Sequence, residues 1–115
     1  MIEIKDELFA APVGEWRHVP FTENHHKWLL RWYRFGNNGN FYLSFVSPKK
    51  RRYSFRTELG KNGGRVTDAE VALANGVRIA SYWESWGDKP ARMDAVIRLT
   101  PRHILGRLFV LLDAI

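Results

Sequence analysis

Between Lys27 and Leu59 apolar and aromatic residues alternate with polar ones, and two clusters of turn-forming residues divide the stretch into three runs. The first run, residues 27–35, leads into Gly36-Asn37-Asn38-Gly39. The second, residues 40–46, leads into Pro48-Lys49-Lys50-Arg51. The third, residues 52–59, stops at Gly60, Gly63 and Gly64. Asn and Gly tolerate the positive φ that a tight hairpin demands, so the runs read as three antiparallel strands. Side chains alternate across a strand. Phe41, Leu43, Phe45, Tyr53, Phe55 and Leu59 therefore share one face with Trp28, Leu30 and Trp32, and this is the expected core side. The opposite face carries Arg31, Tyr33, Tyr42, Ser44, Arg52, Ser54 and Arg56. Lys27 lies toward one end, the Lys49-Lys50-Arg51 turn lies at the edge, and no carboxylate appears before Glu58.

The flanks are read from weaker signals. Residues 4–11 suit a short helix stopped by Pro12 and Gly14, and residues 16–21 suit an edge strand limited by Pro20. Thr67-Asp68-Ala69-Glu70 has the form of a capping box, which predicts a helix starting there. Ala69, Leu73, Gly76, Ala80 and Trp83 recur at helical spacing. That favours a helix running to about Trp86, with Asn75-Gly76 costing roughly 1 kcal/mol within it. The alternative ends the helix at Gly76 and makes residues 77–83 a strand. After a loop at residues 87–90, residues 93–99 read as a strand. Thr100 as cap and Pro101 at the first helical position then open a final helix with the stripe Ile104, Leu105, Leu108, Leu111, Leu112 and Ile115. Phe109 and Val110 widen that stripe, so the helix is either well buried or half of a homodimer contact.

The expectation is one α+β domain spanning residues 1–115. In it, an antiparallel meander of three to five strands is packed on one face by a central helix and an apolar C-terminal helix. With 45% hydrophobic and 14% aromatic residues the chain is too apolar for disorder. No run is long enough to span a bilayer, and the first residues lack a signal-peptide pattern, so a cytoplasmic location without membrane association is expected. The absence of cysteine removes disulfide and thiolate chemistry.

No cofactor or metal site is expected. The histidines His18, His25, His26 and His103 do not stand at zinc-ligand spacing, and no serine lies in a nucleophile elbow. The Gly60-to-Arg65 loop lacks the spacing of a phosphate-binding loop, although Lys61 and Arg65 offer a place for a single anion. No carboxylate pair stands in a recognisable catalytic motif. A binding role is therefore favoured over a catalytic one, with a small basic ribonuclease as a third reading because such enzymes carry no local signature.

Lys and Arg outnumber Asp and Glu by 18 to 12, a net charge of +6. Arginines and lysines neutralise phosphates, and tyrosines stack on bases, so the polar sheet face points to nucleic acid, with DNA favoured over RNA. Arg31, Arg52 and Arg56 are the first candidates, Tyr33 and Tyr42 the second, with Lys49, Lys50 and Arg51 on the adjoining turn. The same residues also suit a solvated sheet face. The three strands, the Gly36–Gly39 turn and the Thr67-Asp68-Ala69-Glu70 helix start resemble the arm-binding domains of phage integrases and the plant AP2 domain. The resemblance covers residues 30–80 and implies docking of a three-stranded sheet in the major groove, backed by a helix. Residues 93–115 have no counterpart in that pattern, and no recombinase domain is present. The alternative is a phage-type accessory protein that binds and inhibits a host protein such as a nuclease, with Tyr82, Trp83 and Trp86 as the suspected anchors.

Overall fold

A computed structural model describes residues 8, 10–35, 40–60, 63–84 and 90–113. Six strands follow one another: β1 (Trp16–Glu23), β2 (His26–Phe35), β3 (Asn40–Val46), β4 (Arg52–Gly60), β5 (Gly63–Ala72) and β6 (Arg78–Trp83). Each pairs antiparallel with the next, giving an open six-stranded meander in sequence order. Two helices follow, α1 (Pro90–Leu99) and α2 (Arg102–Asp113). Leu8 and Ala10 are also helical, and Leu8 is fully buried.

The alternation sorts the central strands as their sequence requires. Leu30 pairs with Phe45 and Trp32 with Leu43, while Leu43 pairs with Phe55 and Phe45 with Tyr53. All six belong to the core, together with Trp28, Phe41, Ala69 and Val71. Both helices cover this face, burying Val96 from α1 and Ile104, Leu108, Leu111 and Leu112 from α2. The molecule is thus a two-layer sandwich of sheet and helix, and among the described residues the other sheet face is uncovered. On α2, Leu105 is half-buried, while Phe109 and Val110 are 50% and 70% exposed. A part-buried ion pair ties α2 to the first hairpin: Arg107 Nε donates to Glu23 Oε1 at 2.6 Å, and the guanidinium lies over Phe21.

Several expectations are corrected. The sheet has more strands than the three to five read from the sequence. The central helix starting at Thr67 is absent among the described residues, and residues 63–72 are β5 instead. A bulge lies between the Arg56↔Asp68 and Thr57↔Val66 pairs, so Thr67 is the extra residue. That bulge lets both Val66 and Ala69 reach the core, and burial overrides a four-residue capping pattern. The alternative strand is the one realised at Arg78–Trp83. Finally, residues 93–99 are helical. Pro90 stands at the first helical position, and Met93, Val96 and Thr100 are the buried or half-buried positions at helical spacing, whereas Ile97 and Leu99 are exposed. Thr100 does not cap α2 as expected; its hydroxyl donates backward to the Val96 carbonyl at 2.7 Å. Pro101 stands one residue before the helix rather than at its first position: the helix begins at Arg102, and the Pro101 carbonyl accepts from the Ile104 and Leu105 amides.

The hairpin turns account for the register. Asn24 and His25 form the two-residue link between the paired Glu23 and His26, with φ of 48° and 66°, the backbone of a type I′ turn. The β3–β4 and β5–β6 links share a second design. Lys50 N–H donates to Ser47 C=O at 2.8 Å and Ser47 N–H to Arg51 C=O at 2.9 Å; Gly76 and Leu73 make the equivalent bonds at 2.9 and 2.8 Å. The last loop residue is left-handed in both, Lys50 at φ 66° and Gly76 at φ 87°. This is the three-residue hairpin with a bulge, so Asn75-Gly76 is turn chemistry and not a helix defect. The Gly36–Gly39 turn, Ile115 and the side chain of Leu59 lie outside the described residues. None of the described helices is long and apolar enough to cross a membrane.

An L-residue in the left-handed region costs about 1–2 kcal/mol, and glycine carries a smaller unfolded-state penalty. His25→Gly is expected to raise the unfolding free energy by about 0.5–1 kcal/mol, while Gly76→Ala lowers it by about 1 kcal/mol. Urea denaturation of the two variants against the parent measures both.

Candidate nucleic-acid interface

The uncovered sheet face can be read row by row, because paired residues on neighbouring strands point the same way. One row crosses His18, Arg31, Ser44, Ser54, Glu70 and Ser81, and the next crosses Trp16, Tyr33, Tyr42, Arg56, Asp68 and Trp83. Phe35 follows Tyr33 on β2, and Arg52 lies one row beyond Ser54 on β4. The expected cluster of Arg31, Tyr33, Tyr42, Arg52 and Arg56 is therefore assembled on one open face.

Two aromatic residues missing from the sequence reading complete it. Trp16, on the edge strand and 51% exposed, lies 5.4 Å from the Tyr33 ring and edge-on to Tyr42 at 5.7 Å. Phe35 meets Tyr33 edge-on at 4.9 Å. The arginines are placed by these rings. The Arg31 guanidinium carbon sits 5.1 Å from the centre of the Trp16 ring, and that of Arg56 sits 4.7 Å from the centre of Phe35. Such stacking leaves the guanidinium N–H groups available to an incoming acceptor. Among the described residues, none of Arg31, Arg52 and Arg56 forms an ion pair. Trp16, Arg31, Tyr33, Phe35, Tyr42, Ser44 and Arg52 enclose an open depression of about 610 Å³. In its floor and beside it, Ser44 and Ser54 are each only 4% exposed, and their hydroxyls hydrogen-bond to one another at 3.1 Å.

Beyond β4 the charge reverses. Because residues 63–72 form a strand, Asp68 comes to lie opposite Arg56 and Glu70 opposite Ser54. Arg56 nonetheless makes no ion pair with Asp68 and turns to Phe35. Glu70 is held by Arg78 Nε at 3.1 Å, and the Arg78 guanidinium packs over Trp83. The cationic aromatic surface is thus confined to β1–β4, with an acidic margin on β5.

The other candidates lie elsewhere. Arg51 has the same strand parity as Tyr53, and with Lys49 it lines a cavity on the helix-bearing side. Lys50 is exposed at the tip of its turn. Arg65 is engaged by Glu84 and by Glu58, the latter at 3.2 Å, so it is not a free anion site. The hydrogen bond and charge of Glu84 raise its pKa still further above an already high value, keeping it cationic throughout. Tyr82 is half-buried against the core, whereas Trp83 stands on the uncovered face. Lys61 and Trp86 lie outside the described residues. Among the described residues no three His, Cys, Asp or Glu side chains converge as metal ligands. A scan against protein-family models finds no match for this chain, and neither does a search of curated proteins or of solved structures.

The serine pair gives a direct test of the floor. Removing one partner of a buried hydrogen bond strands the other, whereas removing both does not. Ser44→Ala is expected to cost about 1 kcal/mol, and Ser44→Ala/Ser54→Ala no more than the single change, by chemical denaturation of the double-mutant cycle.

Proposed function

We propose that the protein binds single-stranded nucleic acid across the β1–β4 half of its uncovered sheet face. The observation that carries this reading is the cluster of exposed Trp16 and half-buried Tyr33, Phe35 and Tyr42, flanked by exposed Arg31, Arg52 and Arg56 that have no carboxylate partner among the described residues. Exposed rings take bases by stacking, and arginines between them take phosphates. Trp16, half exposed on the edge strand with Arg31 against its ring, is the first stacking platform. Arg52 and Arg56 follow the backbone, and the acidic margin at Asp68 and Glu70 turns a polyanion away from β5.

Width argues against seating the whole face in duplex DNA. Six strands spaced about 4.8 Å apart span about 24 Å, twice the roughly 12 Å width of the B-form major groove. A three-stranded sheet backed by a helix, the docking mode implied by the integrase and AP2 resemblance, is a narrower object than this sheet. Single-stranded DNA is the first polymer to test, with RNA beside it.

Binding of oligo(dT), oligo(U) and a duplex is to be followed by fluorescence anisotropy across a salt series. The single strands are expected to bind more tightly than the duplex. With about three phosphates engaged, the slope of log K against log salt should be near −2. Trp16→Ala should cost about 1–3 kcal/mol of binding, and Arg52→Glu/Arg56→Glu should abolish salt-sensitive binding. Equal binding by the folded charge-reversal variant would sink the proposal.

One observation favours a second reading. Trp83, Asp68 and Glu70 share the face with the arginines, and a surface of mixed sign rich in Trp, Tyr and Arg is the composition of protein-binding hot spots. The inhibitor role read from the sequence would then use this face. Trp83→Ala separates the two: it should leave oligonucleotide binding unchanged and weaken only a protein complex.

A further inference from the structure

In an antiparallel meander alternate connections fall at the same end of the sheet. The β1–β2, β3–β4 and β5–β6 turns therefore gather at one end, where α2 also begins. They surround a cavity of about 740 Å³ on the helix-bearing side, separated from the uncovered face by the sheet itself. That volume falls in the range of small-molecule sites. Two aromatic side chains of the core contribute to its wall, Trp28 and Tyr53, with ring centres 6.0 Å apart. The imidazole of His103 stands edge-on to Trp28 at 5.3 Å, and its Nε2 is buried with no hydrogen-bond partner among the described residues.

The charges around this cavity are one-sided. Lys49 and Arg51 line it, and neither forms an ion pair among the described residues. The acid in the lining, Glu23, is already neutralised by Arg107. Cations at the mouth and aromatic rings within are complementary to a molecule that is flat at one end and negative at the other.

We infer that this cavity binds a small anion carrying a flat aromatic or heteroaromatic ring. The ring lies against Trp28 and Tyr53, and the carboxylate or phosphate is held by Lys49 and Arg51 beside His103. The basic turn that the sequence offers as part of a polyanion surface thus serves a separate small-molecule site.

The test pairs each charged probe with its uncharged counterpart: adenosine 5′-monophosphate with adenosine, and indole-3-carboxylate with indole. Inorganic phosphate supplies charge without a ring. Affinities come from calorimetry, and NMR of the Trp28 indole and His103 imidazole locates the site. At least one charged ring compound should bind ten-fold or more tightly than both its uncharged counterpart and inorganic phosphate, shifting both resonances. The nucleotide and the carboxylate distinguish a phosphate from a carboxylate ligand. Lys49→Gln/Arg51→Gln, one change on the exposed turn and one at its half-buried foot, should lower that affinity ten-fold or more while oligo(dT) binding stays at the parent level. Absence of the ten-fold preference for both pairs in the parent protein overturns the inference, as does preference that survives in the double variant. Loss of oligo(dT) binding by the outer-face variants bears only on the proposed function, so the two can fail independently.

Discussion

The packing of Leu30 and Trp32 on β2 against Phe45 and Leu43 on β3, and of these against Tyr53 and Phe55 on β4, sets the register of the whole sheet. A slip of one residue would turn the six core side chains to solvent and bury Arg31, Arg52 and Arg56 in their place. Desolvating three unpaired guanidinium groups is prohibitively unfavourable, so the alternative register is closed. The placement of arginines on the uncovered face follows from the core beneath them. The type I′ turn at Asn24-His25 then carries the same register outward to β1. In this way the hydrophobic packing of the central strands also brings Trp16 opposite Tyr33.

The face that results is divided. Across β1–β4 the arginines lean on aromatic rings, a contact that satisfies the cation without neutralising it. On β5 and β6, by contrast, Glu70 and Arg78 pair with each other, and Arg65 of β5 pairs with Glu58 of β4 and with Glu84 just past β6. Apart from Asp68, charge on the second half is paired internally, and the Arg31, Arg52 and Arg56 charges on the first half are left for a partner. The helices on the opposite face make that division possible, because they absorb the apolar surface and leave the sheet's other side with no packing duty.

Much of this was legible in the residue pattern. Strict alternation in residues 40–46 and 52–59 allowed the faces to be assigned without any long-range information; the same alternation also puts Phe35 on the face of Tyr33, a signal present in the pattern but left out of the expected cluster. Trp16 was harder. Its neighbour depends on where the chain reverses, and only a two-residue loop at Asn24-His25 brings position 16 across from position 33. Thr67-Asp68-Ala69-Glu70 misled because a capping box uses residue types that equally suit a strand with an acidic outer edge. The decision came from burial of Ala69 and Val71 against the central strands. Asn75-Gly76 and Pro90 were present as turn and helix-start signals, but a helix expected to run through Asn75-Gly76 to about Trp86 hid their meaning. Arg51 was read only as part of an edge turn, although its parity with Tyr53 already points to the core side.

By itself, then, the sequence determined the α+β class, the two faces of the central strands and the cationic aromatic character of one of them. These are local properties, written in a period of two and in turn chemistry. Tertiary structure alone decided that residues 63–72 join the sheet, that Asp68 and Glu70 bound the basic surface, and that Lys49 and Arg51 meet Trp28, Tyr53 and His103 around a cavity. Those outcomes depend on contacts between residues far apart in the chain, where burial against an existing core outweighs local preferences worth about 1 kcal/mol or less per residue.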